Sequence, residues 1–267
     1  EGVTLAELSG NGNVVWFETT LGRVLRLDVD TRSERERIGR TPSFTTTDAL
    51  HVAAGQPVTL LASVGAGDAA RVELGGAPVP VLRVDSGTIT FQIPWEAKTT
   101  GITHLGLITA EANDWYGATV PTYVNVFTPA FEVRQAASGE ISALAAHQNF
   151  DTLVSATNPA APGEIVHLYA KGLGLVNPPV ATGQPAPSSP LSRITLPMTC
   201  VFGTAGDSIP VEVLFAGLAP GTVGYYQVSL RMPQKPPAYD TGLRCVLGAP
   251  DGQGTIAINS VAIPMQR

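Results

Sequence analysis

Pro162-Gly163-Glu164-Ile165-Val166-His167-Leu168-Tyr169-Ala170-Lys171-Gly172-Leu173-Gly174 is the stretch on which the fold turns. A Pro-Gly pair opens it, a short alternating run follows, and two glycines close it, which is how a β-strand between turns is written. After a Pro-rich loop come two further runs of the same kind. They are Val213-Leu214-Phe215-Ala216-Gly217-Leu218-Ala219-Pro220-Gly221 and Tyr226-Gln227-Val228-Ser229-Leu230-Arg231-Met232-Pro233.

The order of these signals recurs in the first half of the chain, so an internal repeat is expected. Ala53-Ala54-Gly55-Gln56-Pro57-Val58-Thr59-Leu60-Leu61-Ala62-Ser63-Val64-Gly65 aligns with Ala160 to Gly172, Val72 to Leu82 with Cys200 to Leu214, and Thr90 to Trp95 with Gln227 to Pro233. Each unit then holds about seven short strands between Gly, Pro and Asp turns, the expectation for an Ig-like sandwich. Asp251-Gly252 and Asn113-Asp114-Trp115-Tyr116-Gly117 sit at matching hairpin positions.

Composition points the same way. The chain has 267 residues, enough for two domains with proper cores, and only 14% of them are charged, as in a turn-rich all-β protein. With a formal charge of −6 and no Lys/Arg cluster, nucleic acid and anionic membrane surfaces are set aside as partners. No apolar run approaches the roughly 20 residues that span a bilayer. The sequence begins at Glu1 without a charged-then-apolar leader, and reads as a mature or excised piece of a longer precursor.

The motifs beginning at Pro162, Val213 and Tyr226 resemble a C-terminal repeat family of secreted proteins from Solibacter and other Acidobacteria, related to IPT/TIG domains. Its pattern reads PG-x-x-V-x-L-Y-x-x-G-L-G and later V-x-F-A-G-L-A-P-G-x-x-G-x-Y-Q-V-x-V-x-V-P. The resemblance covers most of residues 150 to 267 and implies an extracellular Ig-like module without an assigned biochemical role. The fold expected is therefore all-β, with two tandem Ig-like β-sandwiches at 41–134 and 159–267, a small, polar linker at 135–158, and a three-strand β-meander at 1–40.

That meander is read from Asn13 to Thr20, Val24 to Asp30 and Glu34 to Arg40, with breaks at Gly22 and Thr31-Arg32-Ser33. It resembles the last blade of a β-propeller. Alone it is marginal in water. Three readings stay open: it packs on the first sandwich, its sister blades lie upstream, or it extends a sheet edge.

Cys200 and Cys245 sit in matched apolar strands, Met198-Thr199-Cys200-Val201-Phe202 and Leu243-Arg244-Cys245-Val246-Leu247. A bridge between neighbouring strands is expected, the alternative being two buried thiols. Their spacing excludes a C-x-x-C redox or zinc pair.

Chemistry is sparse. G-x-S-x-G, H-E-x-x-H, a phosphate-cradling loop, a dinucleotide fingerprint and an EF-hand are all missing from the sequence. His51, His104, His147 and His167 are scattered, and the loop acids Asp68, Asp207, Asp240 and Asp251 are isolated, so no catalytic residue, metal or cofactor is expected. Tyr225 and Tyr226 read as core, and Trp95 as packing. Trp115 and Tyr116, at a hairpin tip, are the candidate binding surface.

The expected function is a non-catalytic, secreted or cell-surface structural, adhesive or spacer module. Its partners would be other domains or copies of itself, met through sheet edges and the meander. The alternative is an accessory carbohydrate-binding module, with Trp115 and Tyr116 as platform and glycan as partner.

Overall fold

The computed structural model describes residues 50–266 except 63, 65–68, 110–119, 205–206, 236–241 and 249–253; before residue 50 it describes the backbone of four strands. The described residues contain strands and turns and no helix. The chain divides into two compact units, Glu1–Val126 and Phe127–Arg267.

The first unit opens with β1 (Val3–Leu8), β2 (Val14–Thr19), β3 (Val24–Asp28) and β4 (Ser33–Glu36), an antiparallel sheet in chain order. It has four strands where three were expected. Val3-Thr4-Leu5-Ala6-Glu7-Leu8 also alternates, and it pairs with β2 from Val3 opposite Thr19 to Leu8 opposite Val15. The Arg/Glu run enters a strand, since Glu36 lies opposite Leu25 of β3.

The sandwich of this unit is built from β5 (Leu50–Ala53), β6 (Pro57–Leu61), β7 (Ala70–Leu74), β8 (Ala77–Val79), β9 (Val81–Asp85), β10 (Thr88–Gln92), β11 (Ile102–Thr109) and β12 (Val120–Asn125). One sheet runs β5-β12-β11-β7-β8 and the other β6-β10-β9. Alternation decides what meets between them. Val52, Val72, Leu105, Leu107 and Val124 from the first sheet cluster with Val58, Ile89 and Phe91 from the second, all buried.

The second unit contains β13 (Ala130–Phe131), β14 (Val133–Gln135), β15 (Ile141–Ala143), β16 (Ala145–Ala146), β17 (Ile165–Lys171), β18 (Val176–Asn177), β19 (Arg193–Ile194), β20 (Met198–Thr204), β21 (Asp207–Leu218), β22 (Tyr226–Arg231), β23 (Leu243–Gly248) and β24 (Thr255–Ala257). The long strand β21 organises it. Residues 207–211 pair with β20 and 212–218 with β22, with a register shift between Val213 and Phe215. A strand that changes partners at a bulge is how one chain feeds two sheets.

The expected linker at 135–158 is part of this unit. β14 pairs with β15, and β16 pairs with β17 at Ala145–Leu168 and Ala146–His167. Ala143, Ala145, Ala146 and Val154 are buried. Small side chains here permit close backbone packing, so an Ala-rich composition marked a tight layer instead of a tether. The boundary moves accordingly: residues 127–134, assigned to the first sandwich by sequence, belong to the second unit, where Phe131 pairs with Ala170 of β17.

The motif glycines now have causes. Pro162 and Gly163 (φ 76°) form a turn closed by the Glu164 N–H on the Ala161 carbonyl, Pro pre-setting its first corner and Gly taking the left-handed second one. Gly172 and Gly174 have φ 69° and 89°. A Cβ on Gly172 would run into the Thr128 carbonyl, and one on Gly174 into the Phe127 ring. The two glycines let residues 127–128 cross the end of β17.

The first unit uses a matching turn. Gln56 N–H donates to the Ala53 carbonyl, and Gln56 Oε1 accepts from Ala53 N at 2.9 Å, as Glu164 Oε2 accepts from Ala161 N at 2.8 Å. The equivalence is Gly55 with Gly163, one residue off the sequence alignment. The Trp95 ring lies over Gly55, in keeping with a packing role. Tyr226 is a core residue, its hydroxyl donating to the Gly174 carbonyl, whereas Tyr225 is half-buried.

Cys200 and Cys245 are bonded to each other as directly opposed residues of β20 and β23, with Cα atoms 4.1 Å apart. Both are buried, beside Phe202, Leu243 and Leu247 on their own strands.

Candidate functional site

Residues 147–158 form a loop that the backbone closes on itself. Phe150 N–H donates to the His147 carbonyl, His147 N–H to the Thr152 carbonyl, and Val154 N–H to the Ala145 carbonyl of β16. At its tip Phe150 holds φ 62°, a left-handed value uncommon for a bulky residue, and the residue is 51% exposed.

The ring is not loose. It stacks on His167 of β17, centroids 3.9 Å apart and planes within 8°. His167 in turn is buried and fixed at both nitrogens: Nδ1 lies 2.8 Å from Ser229 Oγ on β22, and Nε2 lies 3.1 Å from the Gln148 carbonyl. Gln227 Nε2 donates to Ser229 Oγ at 2.9 Å, which directs the serine proton to Nδ1 and leaves Nε2–H to donate to the carbonyl. The neutral imidazole therefore satisfies every partner.

A second clamp holds the loop's base. Glu164 accepts from His147 Nδ1 at 2.7 Å, from Ala161 N–H at 2.8 Å and from Gln148 N–H at 3.4 Å. His147 Nε2 faces the Asn158 carbonyl at 3.2 Å. Along the rim, Asn149 Nδ2 donates to Asp151 Oδ2 (2.7 Å), Thr152 Oγ1 to Asp151 Oδ1 (3.3 Å), and Asn158 Nδ2 to Thr152 Oγ1 (3.3 Å).

The electrostatics make this lock sensitive to acid. Burial pushes the His167 imidazole below its ordinary value of 6.5, against a smaller raising effect of the Gln148 carbonyl. Burial would raise Glu164, but the hydrogen bonds from Ala161, His147 and Gln148 outweigh it and hold the carboxyl below 4.5. For both groups the unfolded chain binds its proton at higher pH than the folded one. Stability is thus full above the unfolded values and declines as pH falls through them toward the folded values, His167 first.

A serine beside a histidine invites a catalytic reading, which the geometry does not favour. Ser229 is 4% exposed, its oxygen already receives the Gln227 amide, and the far nitrogen of His167 meets a carbonyl where a triad has a carboxylate. The pair ties the loop to the sheet.

Other expected site residues fall elsewhere. Trp115 and Tyr116 lie outside the described residues, as do Asp68, Asp240 and Asp251; Asp207 begins β21. Among the described residues no group of three or more His, Cys, Asp or Glu could hold a metal, and no helix is long and apolar enough to cross a membrane. His51 stacks on Tyr123 across β5 and β12 (4.7 Å), and His104 is half-buried, its imidazole lowered by burial. Phe150 is obscured in the sequence because its neighbours Asn149 and Asp151 are turn formers. The available signal was a bulky aromatic set alone among them.

No protein-family model and no curated protein matches the chain. Among solved structures it is similar to SGBP-B of the Bacteroides ovatus mixed-linkage glucan utilization locus, in complex with a mixed-linkage heptasaccharide. That likeness has 11% identity and a TM-score of 0.36, over 97% of this chain and 55% of that one. It is also similar to extracellular domains 3–5 of Drosophila OTK, with 12% identity and a TM-score of 0.23, over 85% of this chain and 67% of that one. The chain thus spans little more than half the length of the first of these structures, and neither superposition carries an assignment.

Proposed function

We propose that the chain is a non-catalytic extracellular module of the acidobacterial secreted-repeat type, in which two Ig-like units present surfaces to a partner. The carrying observation is the use to which unit two puts its polar chemistry: Ser229, His167, His147 and Glu164 are taken up with internal partners and hold a loop in place. The buried Cys200–Cys245 bridge supports placement in an oxidising, extracellular compartment. The Pro162-Gly163 turn and the roles of Gly172 and Gly174 support the family resemblance, and the matching Gly55 turn supports a tandem origin.

Incubated with chromogenic esters, peptides and glycosides, the protein is expected to release no product. Turnover that Ser229→Ala abolishes would overturn the reading.

A further inference from the structure

We propose that the Phe150 loop is a carbohydrate-binding platform, taking the flat apolar face of a pyranose unit in a neutral polysaccharide. This rests on the non-catalytic extracellular reading and adds the ligand class.

One face of the Phe150 ring lies against His167 while the residue remains 51% exposed, which leaves the opposite face to present outward. A sugar stacks on such a surface through its axial C–H groups, as apolar bodies do on aromatic faces. Binding to a mobile ring would cost its rotamer freedom. Here the ring is already fixed by a neighbour that Ser229 and the Gln148 carbonyl lock in turn, so that cost is met in folding. A positive φ at a non-glycine residue persists only where the surroundings over-determine it, and sites that present a side chain are where such strain collects.

Polar groups beside the ring suit hydroxyls. The Asn149 amide spends one N–H on Asp151 and keeps its oxygen, while Asp151 and Thr152 are exposed and offer further lone pairs. One ring with the exposed Leu153 beside it, among polar side chains, is far short of the roughly 800 Å² per partner of a stable protein interface, which favours a sugar over a protein. Asp151, with the net charge of −6, favours a neutral polysaccharide over an anionic one.

The test is affinity electrophoresis of the whole chain through gels containing mixed-linkage β-glucan, hydroxyethylcellulose, galactomannan or starch, with reducing ends assayed in parallel incubations. Retardation by at least one polymer is expected, weakened roughly tenfold or more in Phe150→Gly and retained in Phe150→Tyr. Glycine accepts the left-handed φ, so that variant removes the ring without straining the loop, and its unchanged melting would show it folded. Absence of retardation by every polymer, or equal retardation of wild type and Phe150→Gly, overturns the platform. Release of reducing ends overturns the non-catalytic reading instead, whatever the gels show.

Discussion

Reducing the Cys200–Cys245 bridge will lower the melting temperature of the second unit and leave the first unit unchanged. The bridge closes a separation of 45 residues between adjacent strands, for which the loss of unfolded-state entropy amounts to about 4 kcal/mol. In a unit of this size that is a fall on the order of 10 °C. The sulfurs are buried beside Phe202, Leu243 and Leu247, so the reduced thiols remain as small core groups and the strands stay paired. Two calorimetric transitions, with and without reductant, check this. Equal shifts in both, or none in either, would refute it.

Gly172→Ala will destabilise the second unit by about 2–5 kcal/mol. Two costs add: an L-residue held at φ 69° loses about 1–2 kcal/mol, and the new Cβ meets the Thr128 carbonyl, where overpacking costs about 1–3 kcal/mol. Backbone cannot swing aside as a side chain can. Gly221→Ala supplies the control, because Gly221 has φ 77° but nothing near the position of a Cβ, so only the conformational cost applies. Gly174→Ala falls between them, since the Phe127 ring it meets can rotate. Urea unfolding of the three variants measures the order. A Gly172→Ala variant no less stable than Gly221→Ala would show that the close crossing of residues 127–128 does not exist.

These glycines were legible as punctuation from sequence, and so were the alternation of β17 and β22 and the matched settings of Cys200 and Cys245, because each is a local signal. Three features were not. The change of partner within β21 depends on which neighbours its two halves find, and the run from Asp207 to Leu218 names neither, although Pro210 marks the first half as lacking a ladder donor. The stretch 135–158 was misread because alanine and serine are equally at home in tethers and in tight layers, and only pairing with Leu168 and His167 tells them apart. The Phe150 site was missed with it, since the value of that ring comes from His167, which lies on another strand.

What unites the proposals is a loop at 147–158 built as part of the sheet. Amide hydrogen exchange of the intact protein tests that most directly. At neutral pH the amides of Phe150 and Val154 should be protected to a degree approaching those of β17, and that protection should decline as acidification protonates His167, a decline that His167→Gln removes. Exchange of those amides at the rate of an open chain at neutral pH would contradict the account.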